Sequence, residues 1–195
     1  LHVVSTDPEL KYAFRELGTF GLRLRVDNGE TIRYKYFVLQ IDTEFSEGIT
    51  VLSRDGDGKG RISFMRTLTK EEINTGKVPM FRTDIMELIN PQTKMEDVTD
   101  MVQVNNRLLV CSGEEGRIYN MESRTFDVEG MTSFKELYPG CAFVKFAGVS
   151  ANNNIYLVSR DRRGYVYDYG LDELVLTEYF KNLDVDAAAV SYTHL

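Results

Sequence analysis

Two groups of cationic side chains stand at spacings that could gather positive charge on one surface. Arg23, Arg25, Arg33 and Lys35 alternate with apolar residues, and Arg160, Arg162 and Arg163 lead into Tyr165, Tyr167 and Tyr169. Alternation at period two puts every second side chain on the same side of a strand. A stripe of that kind is neutralised either by acidic neighbours of the same protein or by an acidic partner; exposed ion pairs contribute little stability in either case. Arginine and tyrosine are favoured at binding hot spots. A tyrosine ladder between neighbouring sheets is also ordinary packing. Arg23, Arg25, Arg33, Lys35, Arg160, Arg162, Tyr165 and Tyr167 are the candidate binding residues on this reading.

Catalytic chemistry has less to work with. The only histidines are His2 and His194, close to the two ends. A Ser-His-Asp or Cys-His mechanism is therefore not encoded in the interior. The paired acids Glu114 with Glu115 and Asp184 with Asp186 fall in a turn or near the tail, where adjacent carboxylates are usually solvated. Cys111 and Cys141 sit in apolar strand contexts with no second pair, which points to buried thiols rather than a zinc site or a disulfide framework. No catalytic residue, metal or cofactor is assigned.

One segment has the look of a metal loop. Asp55-Gly56-Asp57-Gly58-Lys59-Gly60-Arg61-Ile62-Ser63 resembles the calcium loop of the EF-hand family over most of its positions. Asp55, Asp57 and Ser63 match ligand positions of that loop. Lys59 and Arg66, however, stand where the family places oxygen ligands. The preceding residues Ile49 to Leu52 read as a strand and not as an entering helix, so the segment is expected to be a charged hairpin turn.

The 195 residues carry a net charge of -7 and a pI near 5.0, which argues against nonspecific binding to nucleic acid or anionic membrane. No apolar run approaches the roughly 20 residues of a membrane helix. Both ends look cut, which leaves the compartment open. The last six residues, Val190-Ser191-Tyr192-Thr193-His194-Leu195, resemble a translated sequencing adapter. The expected domain is accordingly 1–189, with 190–195 a non-native tail.

The elements that must carry these groups read mainly as strands. Strand phrases ending in Ser5, Ser53, Ser112 and Ser159 recur at steps of 48, 59 and 47 residues. Three of them pass through a charged turn into a second strand, beginning Arg61-Ile62, Arg117-Ile118 and Tyr165-Val166. Ile49, Val51 and Leu52, like Leu108 to Cys111, are apolar at consecutive positions, as expected of strands covered on both sides. Residues 20 to 39 alternate instead, around Asp27-Asn28-Gly29, and predict a hairpin with one face in water. A three-residue loop would set Leu24 opposite Ile32 and Arg23 opposite Arg33, gathering all four cations on one face. Thr69 with Glu72 predicts a capped helical turn over Lys70 to Asn74, closed by Gly76. Ser133 with Glu136 predicts another before Pro139-Gly140. Ile85 to Ile89 reads as strand and turn.

A period near 47 residues lies in the range of β-propeller blades. The rhythm resembles WD40-like and YVTN-like β-propellers, without the Trp-Asp and Gly-His signatures of WD40 repeats. Gly60-Arg61-Ile62-Ser63-Phe64 and Asn106-Arg107-Leu108-Leu109-Val110 are also similar to the propeller scaffolds of the damaged-DNA-binding and cleavage-polyadenylation factor family, through too few residues to transfer a site. The resemblance implies an all-β chain, a partial β-propeller of about four antiparallel blade-like modules with two short helical insertions. It implies in turn a non-catalytic scaffold whose partner is another protein. The alternative is an exported propeller enzyme, a lyase or hydrolase, whose catalytic residues lie mostly in a missing part of the chain.

Overall fold

The structure is a computed structural model that describes residues 3–14, 16–113, 116–150, 152 and 154–179. The acid pairs Glu114 with Glu115 and Asp184 with Asp186, both histidines and the tail 190–195 lie outside those residues. The chain divides into two units, Leu1–Glu44 and Phe45–Leu195. The described residues are all-β, with four antiparallel sheets and two short helices.

The first unit holds one hairpin, β1 (Gly18–Asp27) and β2 (Ile32–Ile41). Its register differs from the expected one. Leu24 stands opposite Lys35, and Arg23 opposite Tyr36. The turn has four residues, because the Asn28 side chain accepts hydrogen bonds from the Glu30 and Thr31 amides at 3.1 and 2.8 Å while Asp27 accepts from Gly29 at 2.9 Å. Gly29 takes a φ of 87°, where a side chain would be strained. Most of the hairpin is exposed on both faces, not on one. The phrase ending in Ser5 forms no strand, and Val3 is exposed.

The second unit begins with the two-stranded sheet β3 (Gly48–Arg54) and β4 (Gly60–Arg66). Beyond β4, Phe64 and Arg82 exchange two backbone hydrogen bonds, at 2.9 and 2.8 Å, as an isolated bridge. Two four-stranded meanders follow. The third sheet comprises β5 (Val98–Val104), β6 (Arg107–Ser112), β7 (Arg117–Glu122) and β8 (Val128–Ser133). The fourth comprises β9 (Phe143–Val149), β10 (Ile155–Ser159), β11 (Arg163–Asp168) and β12 (Glu173–Tyr179).

Two apolar cores lie on opposite faces of the third sheet. Successive residues of a strand point to opposite sides. Leu108 and Val110 therefore enter a core with Ile62 and Phe64 of the second sheet, while Leu109 and Cys111 enter one with Phe143, Leu157 and Tyr165 of the fourth. In the first core Phe45, Phe64 and Phe126 meet edge to face at 5.1 to 5.8 Å. Burying a side chain of this size is worth roughly 1.5–3 kcal/mol, so the uninterrupted apolar run of β6 follows from having a neighbour on each side. The second sheet lacks that double cover. Leu52 packs inward, but Ile49 and Val51, expected to be covered, are exposed.

Helix α1 (Lys70–Asn74) matches its predicted span and has a complete capping box between Thr69 and Glu72. Arg66 and Lys77 both bind the Glu72 carboxylate, at 2.6 and 2.7 Å. The second predicted helical turn does not form a helix. Ser133 is the last residue of β8, paired with Arg117. What remains is one turn, closed by the Tyr138 amide on the Phe134 carbonyl at 2.8 Å. Ile85–Ile89, read as strand and turn, is helix α2 instead. Ile85 and Met86 are buried side by side in the first core, and Asn90 ties the helix end to the third sheet by donating to the Phe126 carbonyl and accepting from the Val128 amide.

Thr69→Ala removes the cap and is expected to destabilise α1 by about 1 kcal/mol, read as faster hydrogen exchange at the Ile73 and Thr75 amides. Hydrogen bonds from Arg66 and Lys77, with that from the Thr69 amide, hold the Glu72 carboxyl well below the usual range. A depressed folded value means that this contribution is complete above the unfolded value near 4.3 and fades as pH falls below it, so the protection factors of these amides, taken relative to the intrinsic exchange rate at each pH, should fall on acidification below about pH 4.

Candidate binding surface

The observed register divides the four cations of the hairpin. Arg23 and Arg25 share a face with Tyr34, Tyr36 and Val38, whereas Arg33 and Lys35 project from the other face with Leu22, Leu24, Val26 and Phe37. No four-cation stripe exists, because the actual register differs from the expected one by an odd number of residues, which exchanges the faces of one strand relative to the other. Each pair has an aromatic neighbour. The Arg23 guanidinium lies 4.9 Å from the centre of the Tyr34 ring, and the Lys35 ammonium 5.2 Å from that of Phe37. Arg25 is paired with Asp27.

The face of Arg23 and Arg25 is the more open. Tyr36 is 70% exposed and Val38 79%. Opposite Val38 stands Gly21, with open space where a side chain would project. The result is a shallow apolar step with Arg23 and then Arg25 following it toward the turn. Arginine suits such a place because its planar head can bind a carboxylate through two hydrogen bonds while stacking on an aromatic ring.

The second candidate group is broken up by burial. Tyr165 and Tyr167 are 0% and 1% exposed and belong to the core between the third and fourth sheets. They were candidates for binding on type alone; their place in the core withdraws them from any surface. Tyr165 packs edge to face on Phe143 and Tyr138, and Tyr167 on Phe134. The Tyr167 hydroxyl donates to Asp172 at 2.8 Å, and burial pushes its pKa up, with the neighbouring carboxylate adding to the shift. Arg160 and Arg162 remain exposed at the β10–β11 turn, Arg162 with a φ of 66°.

The loop that resembles a calcium site closes the β3–β4 hairpin. Its Asp55 carboxylate accepts from the Asp57 and Lys59 amides at 3.1 and 2.9 Å and lies 3.4 Å from the Arg61 guanidinium. Desolvation opposes its ionisation, but these hydrogen bonds and Arg61 outweigh that and hold the pKa below the ordinary value. Lys59 reaches Glu87 of α2 at 2.8 Å. Ser63 lies on β4, opposite Val51. The Asp55 carboxylate therefore serves the turn. Among the described residues, no three histidine, cysteine, aspartate or glutamate side chains gather as metal ligands would, and no helix is long and apolar enough to cross a membrane.

Both cysteines are buried free thiols. Burial drives the Cys111 pKa up to about 12 and raises that of Cys141. Comparison with known proteins finds no family model that matches the chain and no similar curated protein.

Two outcomes are expected. Tyr167→Phe should cost about 1 kcal/mol in urea unfolding through loss of one hydrogen bond, while Tyr165→Ala should cost about 3–5 kcal/mol as a core deletion; neither should alter binding at the hairpin. A thiol reagent at pH 8 should label neither cysteine in the native protein and both in denaturant, because the thiolate is the reactive form.

Proposed function

We propose that the chain is a segment of a β-propeller acting as a non-catalytic scaffold, and that it docks an acidic segment of another protein on the Arg23–Tyr36 face of the hairpin. Support for the propeller reading comes from the two inter-sheet cores. The second, third and fourth sheets each contain a strand with a serine at or next to its end, Ser53, Ser112 and Ser159, followed by a hairpin turn and a strand whose first or second residue is an arginine opposite or bonded to that serine. Counting back from the serine, the residue three before it on β6 faces forward to the next sheet, and the residue two before it, on β6 and on β10, faces back to the preceding one. Layers with one such orientation are what propeller blades require.

The observation that carries the binding reading is that Arg23, with Arg25 held by Asp27 beside it, shares one face with exposed Tyr36 and Val38. Charge on that face selects carboxylates, and the apolar step selects a segment that also carries a hydrophobic side chain.

Fluorescence anisotropy with a labelled peptide of alternating glutamate and leucine tests this. Binding is expected to weaken with salt, and Arg23→Glu with Arg25→Glu should weaken it roughly tenfold, since each exposed pair contributes up to about 1 kcal/mol. Equal binding of the corresponding lysine peptide, or no effect of the charge reversal, would contradict the proposal.

A further inference from the structure

Asn28 is the only asparagine of the chain followed by glycine, and both residues are exposed at the tip of the first hairpin. The side-chain carbonyl of an asparagine can be attacked by the backbone nitrogen of the next residue, which closes a cyclic imide. Glycine gives the least hindered nitrogen, since it has no Cβ.

The turn surrounds these two atoms with the groups such a reaction uses. The Asn28 Oδ1 accepts from the Glu30 amide at 3.1 Å, the Thr31 amide at 2.8 Å and the Thr31 hydroxyl at 3.2 Å. Three donors on one carbonyl oxygen polarise Cγ and are placed to hold the negative charge that the oxygen gains when Cγ becomes tetrahedral, as the donors of an oxyanion hole do. Bonds to the second and third residues ahead also fold the side chain over the Gly29 peptide, which lies between. The Gly29 N–H, whose hydrogen must be lost, donates to the Asp27 Oδ1 at 2.9 Å, so a carboxylate base stands within proton-transfer reach. Arg25 binds the other oxygen of Asp27. Asn90 is the contrast: its side chain is tied to the Phe126 carbonyl and the Val128 amide, and Pro91 after it has no N–H to lose.

We infer that this turn is a self-modifying site, at which the chain's own groups convert Asn28 to aspartate or isoaspartate. The Gly29 nitrogen bonds to Cγ of Asn28 while its proton passes to the Asp27 carboxylate. The Cγ–Nδ2 bond then breaks, and the departing nitrogen takes that proton and leaves as ammonia. Water opens the imide at the side-chain carbonyl to give aspartate, or at the main-chain carbonyl to give isoaspartate. One water enters, one ammonia leaves and nothing is oxidised. Either product puts a new carboxylate at the hairpin tip. Isoaspartate also lengthens the backbone by one carbon between the side chains that fix the register.

Incubation of the native chain at neutral pH in water enriched in heavy oxygen, followed by peptide mapping with mass spectrometry, tests this. Amide loss is expected at Asn28 ahead of every other asparagine, with one solvent oxygen in the product and both isomers present. An unfolded Asn-Gly pair reacts as well, so the same chain in guanidinium chloride, where the turn is absent, is the reference, and the native chain should react faster. Asp27→Asn retains an acceptor for the Gly29 amide but removes the base. It should slow the native reaction about tenfold or more and leave the rate in denaturant unchanged. A native rate no faster than the unfolded one, an unslowed native Asp27→Asn variant, or an equal slowing in denaturant overturns the assignment. Circular dichroism establishes that the variant is folded. If it is not, Thr31→Val, which removes only the hydroxyl donor, takes its place with the same expected direction and the same reference.

Discussion

Burial of the third sheet on both faces is the constraint from which the rest of the second unit follows. A sheet covered on one side needs apolar residues at alternate positions only; one covered on both needs them at every position. Leu108, Leu109, Val110 and Cys111 meet that need within one strand. Several polar groups near the contact find partners across it. Thr99 donates to the Phe143 carbonyl across the sheets at 3.0 Å, and Asp100 accepts from the Phe146 amide at 2.9 Å. Burial raises the Asp100 pKa, and the Phe146 amide opposes that rise without cancelling it. The Tyr119 hydroxyl, from a ring with no exposed surface, donates to the Lys94 carbonyl at 3.2 Å.

The hairpin of the first unit obeys a different rule. With both faces largely in water, burial does not select its register, and the polar atoms of Asp27 and Asn28 do. That choice decides which cation stands beside which aromatic ring, and hence the chemistry of each face. Turn chemistry also accounts for the segment at Asp55. A carboxylate that already accepts two backbone hydrogen bonds and faces an arginine is a turn-former, and the glycine at 58 supplies the positive φ of 81° that the turn needs.

Local patterns were legible where local forces decide. The Thr69–Glu72 capping box gave the span of α1 correctly because both halves of its hydrogen bonding lie within four residues. The similar pair Ser133 and Glu136 opens one turn after the end of β8 and no helix. Ile85 to Ile89 reads as strand and turn in sequence but is a helix, since a short apolar run suits a strand or a buried helix alike and its docking against the first core decides between them. Of the candidate binding residues, the tyrosines at 165 and 167 could not be placed from their alternation, which states that they share a face but not whether that face meets water or another sheet.

By itself, then, the sequence determined the all-β character, the strand-turn-strand units at the three serines, the capped turn at Lys70 and the buried state of both thiols, because periodicity, turn residues and capping act over a few neighbouring positions. Only the tertiary structure decided the hairpin register, the helix at Ile85, the burial of Tyr165 and Tyr167 and the exposure of Ile49 and Val51. Each of these depends on which surface lies opposite, and that is set by contacts between residues far apart in the chain.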